Sequence, residues 1–148
     1  VTTLTLVDTE AVAKAWAKAE THINAAVNSR VFFSTPQSYG KTPAATWIVL
    51  SLVGETHQAG DLGLQQPLIQ FDCWSKPVSM GGTKASAAVV ALAVQTAARQ
   101  LSFGQSVTIG QSVISVGDVN QKRWLPDPTT NSPRYVVDVQ FAMHGAEQ

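Results

Sequence analysis

Cysteine is almost missing from this 148-residue chain, where Cys73 stands alone. One thiol cannot close an internal disulfide, and without a second cysteine a thiolate zinc cluster is excluded. The fold therefore needs no oxidising compartment. Charge is also scarce: 14% of residues carry it, against roughly 25% in an average soluble domain, and ten Lys and Arg balance ten Asp and Glu. No net field draws such a chain to nucleic acid or to an anionic membrane, so neither is expected to bind it electrostatically. A surface this poor in charge suits burial against partners. Apolar runs all fall short of the roughly 20 residues that span a bilayer, because Gln, Thr, Ser or a charge interrupts each. Residues 1–7 also lack the basic-then-apolar order of a secretory signal.

The usual marks of an active site are missing as well. His22, His57 and His144 fall on different segments, with no HExxH or HxH spacing to bring two onto one metal. His57 lies close to Glu55, but in a polar stretch that offers no fixed geometry for proton transfer. Cys73 shares an apolar register with Ile69 and Phe71, where a thiol behaves as a small hydrophobe with a raised pKa. The Gly-Gly-Thr-Lys run at 81–84 ends like a phosphate loop but lacks its first glycine and inverts the last pair, so it reads as a helix start. Neither GxSxG nor GxGxxG occurs. No catalytic residue, metal or cofactor is expected.

What the sequence does contain is periodicity. Its length suits one domain over residues 1–148, burying roughly two thirds of its extended surface. Val12, Trp16, Ala19, Ile23 and Val27 form an apolar stripe that predicts one helix over residues 8–28, capped by Asp8 or Thr9. A short β-branched and aromatic run follows at 30–34, and then a loop holding Pro36, Gly40 and Pro43. Residues 46–53 are apolar on both alternating faces, which predicts a central strand covered on two sides. The polar, glycine-containing stretch 54–63 reads as a long connection to a half-buried strand at 67–74, where Gln70 and Asp72 oppose Ile69, Phe71 and Cys73.

Thr83 can cap a second helix reaching about residue 103, with no acid in its interior and almost no hydrophilic face. Such a helix is buried on more than one side, and one of those sides is open to a neighbouring subunit. Gly-Gln-Ser-Val occurs at 104–107 and again at 110–113, within a strand expected over 107–119 and bent at Gly110. After a loop with Pro126, Pro128 and Pro133, the alternation of Tyr135, Val137, Val139, Phe141 and Met143 with Arg134, Asp138, Gln140 and His144 predicts the last strand. This order argues an α+β fold: a mixed, mainly antiparallel sheet with two helices packed on one face. Among the tryptophans, Trp16 and Trp47 read as core and Trp74 as a strand-end rim residue. Trp124, next to Lys122 and Arg123, is either a lid on the domain or an interface anchor.

The stretch PLIQFDCWS at 67–75, followed by an alanine-rich helix, resembles the strand-and-helix unit of the tail terminator (tail completion) proteins of bacteriophages with long non-contractile tails. WIVLSLVG at 47–54, PDPTT at 126–130 and PRYVVDVQF at 133–141 lie in the order of that family, so the likeness spans nearly the whole chain. The resemblance implies a structural virion protein, assembled in the host cytoplasm and located at the head-proximal end of the tail. It would form a ring of its own copies, a hexamer, that ends tail-tube growth. Its partners would be the tail tube protein and the head-tail connector protein, with DNA passing through the lumen without specific binding. A ring that matches the tube on one face only stops its growth by that mismatch. Expected interface positions are the second helix with Gln70, Asp72 and Trp74 around the ring, and His57, Gln58, Lys122, Arg123 and Trp124 in connections that reach tube or connector. The rival readings are a tail tube or head-tail stopper protein and, from another class, a small ligand-binding α+β domain, which would need a deep pocket with convergent polar groups.

Overall fold

The computed structural model describes residues 6–57, 64–102 and 104–145. The class is α+β, but the expected layout of two helices and five strands is overturned: among the described residues three α-helices accompany seven strands. The continuous helix over 8–28 is two helices, α1 (Thr9–Ala19) and α2 (Thr21–Val27). Asp8 caps α1 as expected, its Oδ1 accepting from the Ala11 amide at 3.2 Å. At Glu20 the backbone turns extended (φ −76°, ψ 129°), and its carboxylate accepts from the Ile23 amide at 2.9 Å, so one residue ends α1 and starts α2. The break redirects the apolar stripe. Ala13, Trp16 and Ala17 are buried beneath α1 and Ile23 and Val27 beneath α2, whereas Ala19, at the break, is exposed.

Strands β1 (Val31–Phe32), β2 (Thr46–His57), β3 (Gln65–Ser75), β4 (Val107–Ile109), β5 (Ser112–Val119), β6 (Arg123–Trp124) and β7 (Arg134–His144) form one sheet in the order β1-β2-β3-β7-β5-β4, with β6 on β7. Only β1 and β2 run parallel; the other pairs are antiparallel. The single strand expected over 107–119 is a hairpin. Gly110 takes a left-handed φ of +60°, which an L side chain resists, and the chain reverses so that Ile109 pairs with Ser112. The strand at 46–53 extends to His57, and only its first half is covered: Trp47, Ile48 and Leu50 are buried, while Leu52 and Val53 are exposed. The last strand, β7, takes the middle of the sheet, between β3 and β5.

Helix α3 (Lys84–Gln100) starts at Thr83, whose hydroxyl accepts from the Ser86 amide at 3.1 Å. Ala87, Ala91, Ala97 and Ala98 are small enough to let it settle closely on the sheet. Helices and sheet share one core, in which Ile48, Leu50, Ile69, Phe71, Cys73, Val137, Val139 and Phe141 meet Trp16, Ile23, Val90 and Val94. Trp16 stands edge-on to Phe71 and Phe141, at centroid separations of 6.2 and 5.4 Å. Each large side chain fully buried here contributes about 1.5–3 kcal/mol. This core occupies one sheet face; among the described residues no α-helix covers the opposite face, where the 3-10 turn Gln37–Gly40 lays Tyr39 against Trp47.

Candidate functional site

Strand alternation puts Trp47 of β2, Gln70, Asp72 and Trp74 of β3, Arg123 of β6, and Arg134 and Asp138 of β7 on the sheet face away from the helices. There the expected positions Gln70, Asp72, Trp74 and Arg123 come together. The Trp47 and Trp74 rings stack at 6.0 Å, and the Arg134 guanidinium lies over Trp74 at 4.8 Å. Arg134 Nη1 also reaches Asp72 Oδ2 at 3.5 Å, and its Nε donates to the Leu125 carbonyl at 2.7 Å. Gln70 donates to Asp72 Oδ1 at 3.0 Å, and Arg123 pairs with Asp138 at 2.9 Å. Burial raises the Asp72 pKa above the ordinary carboxylate range, with Gln70 and Arg134 only partly offsetting the loss of water. Beneath these side chains Val136 is buried.

At the end of this face lies a cleft of about 220 Å³ between Tyr39, Trp47, Trp74 and Pro77 on one side and Asp127, Thr130 and Ser132 on the other. Trp47 Nε1 donates to Thr35 Oγ1 at 3.1 Å, while Trp74 Nε1 is buried with no partner among the described residues. Asp127 anchors its own turn: the Thr129 amide (2.9 Å) and the Thr130 hydroxyl (2.8 Å) donate to it and hold its pKa below the ordinary range. The cleft presents aromatic edges and a carboxylate already engaged by its own turn. Among the described residues no group of three or more His, Cys, Asp or Glu is placed to hold a metal ion. Cys73 is fully buried and its thiol pKa is pushed up, chiefly by that burial.

The remaining expected positions are scattered. Lys122 and Trp124 lie on the helix side of the sheet: Trp124 packs on Tyr135 at 5.1 Å, Lys84 sits over the Trp124 ring at 4.7 Å, and Lys122 over Tyr135 at 5.3 Å. Trp124, still 39% exposed, thus covers the edge of the core at the start of α3. His57 ends β2, ten residues from Trp47 and so roughly 30 Å along the strand. Gln58 lies outside the described residues. Sequence reasoning missed Trp47, Arg134 and Asp138 as members of the outer cluster, although the polar register of the last strand already held Arg134 and Asp138.

Two further surfaces are apolar and open. On α3, Val89 and Leu92 are 58% and 51% exposed on the side opposite buried Val90, Ala91 and Val94. At the far half of β2, Leu52 and Val53 are exposed at a bulge that shifts the register between Leu52 and Gly54. Glu10 of α1 is tied to this place, its Oε2 accepting from the Leu52 amide at 2.8 Å.

No protein-family model matches the chain, and no curated protein matches it. Among solved structures, the chain is similar to one chain of the virion of a native gene transfer agent particle, with a TM-score of 0.54 and 17% identity over 94% of this chain and 94% of that one. At that identity the likeness establishes a shared fold.

Proposed function

We propose that this chain is a structural subunit of a phage-like virion, and within that class a tail terminator. In this reading copies of the chain form a hexameric ring at the head-proximal end of the tail. The ring ends tube growth and joins the tail to the head-tail connector. The observation that carries the proposal is the fold likeness to a virion chain across 94% of both proteins. Two features of the molecule support it. Helix α3 exposes Val89 and Leu92 on an acid-free outer face, apolar area that a lone domain gains nothing by exposing. The net charge of zero suits a ring through which DNA passes without being held.

The ring contacts in this proposal involve α3 and the outer-face positions Gln70, Asp72 and Trp74, while residues 57–58 and the connection between β6 and β7 reach toward tube or connector. Negative-stain microscopy of the purified protein, alone and mixed with tail tubes, tests the assignment. Rings seated on tube ends are the expected result. Filaments formed by the protein alone would identify a tube subunit instead, and bare tube ends would refute the terminator role.

A further inference from the structure

The two open apolar surfaces differ in charge. Leu92, Arg99 and Lys122 line one shallow groove, and Lys84 lies at the start of the same helix. None of these three cations has a carboxylate partner among the described residues. Lys84 and Lys122 rest over aromatic rings, which attract the cation without neutralising its net charge. Asp118 flanks Arg99 in the adjoining groove, where its Oδ1 accepts from the Val119 amide at 2.9 Å. Around Leu52 and Val53 the charges are negative. Glu10 is bonded to the Leu52 amide, Asp8 caps the same helix, and Glu55 accepts from Gln65, which is itself bonded to Val7. The nearest cation on α1, Lys14, is held over Phe33 at 4.5 Å. Val89 and Leu92 point away from the buried side of α3, whereas Leu52 lies on β2 where its amide bonds Glu10 of α1, so the two surfaces are distinct.

From this complementarity we infer that the α3 surface of one copy docks on the β2–α1 surface of the next, Val89 and Leu92 against Leu52 and Val53, with Arg99 and Lys122 facing Glu10 and Glu55. The occupant of each surface is a second copy of this chain, because the chain itself carries both the apolar partner and the opposite charge. Such a contact joins unlike patches, so it repeats around a ring and does not stop at a dimer. The inference rests on the self-assembling reading above and refines it: α3 meets the β2–α1 surface and not the outer-face positions Gln70, Asp72 and Trp74. Opposed charges at both rims also disfavour like-on-like pairing of either patch.

The test is a cysteine pair, Val53→Cys with Leu92→Cys, treated with a short bismaleimide; native Cys73 is fully buried and stays unreacted. The double variant is expected to give a ladder beyond the dimer on a denaturing gel, and each single variant no ladder. A dimer from either single variant would overturn the unlike-patch contact. Charge reversal gives an independent measure by sedimentation: Arg99→Glu and Glu55→Arg are each expected to weaken assembly by about tenfold or more, and their combination to restore it. Assembled protein that neither cross-links nor responds to reversal would defeat this pairing and leave the ring reading intact. Wild-type protein that never assembles, even on tail tubes, would defeat that reading and the pairing with it.

Discussion

Replacing Glu20 separates a broken helix from a continuous one by the sign of the effect. In the structure Glu20 is extended, and its carboxylate satisfies the Ile23 amide at the start of α2. Glu20→Ala removes that cap, at a cost of about 1 kcal/mol within a range of 0.5–2. The contact of Glu20 with His22 at 3.0 Å adds little, because the imidazole is 47% exposed and such pairs contribute about 0–1 kcal/mol. Glu20→Ser keeps a capping oxygen and should stay near wild type. If residues 8–28 formed one helix, Ala would instead be the best residue at this position and Ser worse than Ala by up to about 0.7 kcal/mol. Urea unfolding followed by far-UV circular dichroism reads the difference. With an m-value of about 2 kcal/mol/M, a loss of 1 kcal/mol moves the midpoint down by about 0.5 M. The expected order of midpoints is wild type, Ser, then Ala. Ala at or above wild type would refute the break and the double capping role of Glu20.

Two glycines should respond very differently to alanine. At Gly82 a Cβ would overlap the Lys76 carbonyl backbone, so Gly82→Ala is expected to cost more than about 3 kcal/mol in the same unfolding assay, or to prevent folding. At Gly110 nothing lies within 4 Å and only the left-handed φ of +60° opposes a side chain, so Gly110→Ala should cost about 1–2 kcal/mol. Asp72 carries a pH prediction: its pKa is raised in the fold, so its contribution is fully present below the unfolded carboxylate value and lost as pH rises through the folded one. The stability of Asp72→Asn relative to wild type should therefore increase between pH 4 and pH 7 in chemical unfolding, and a decrease would contradict the burial of that carboxylate. Trp16→Ala, which empties the space beside Phe71 and Phe141, should cost about 3–5 kcal/mol by thermal or urea unfolding.

Local signals in the sequence were reliable wherever the structure they specify is local. The alternation from Tyr135 to Met143 is β7, and the Thr83 cap with the alanine-rich run after it is α3. The helix break was not legible, because glutamate is a good helix former and nothing near residue 20 marks a stop. What turns the chain there is distant packing: α2 leaves the line of α1 to rest on α3. Gly110 was read as a bend within one strand, and only the pairing of Ile109 with Ser112 reveals a reversal. The insertion of β7 between β3 and β5 depends on contacts far apart in sequence, as does the outer cluster, where Asp72 meets Arg134 across 62 residues. Trp47, expected in the core, is buried, but register puts it on the face opposite that core, stacked on Trp74.

The proposed role makes a kinetic demand that no merely adhesive protein meets. Tail-tube protein polymerising alone gives a rising light-scattering trace, and this chain should halt that rise when added at about one ring per growing end, far below the tube subunit concentration. The halted tubes should be shorter as more protein is added and should not resume growth when fresh tube subunits are supplied. Growth that continues unchanged, or inhibition that requires one copy per tube subunit, would contradict the terminator account.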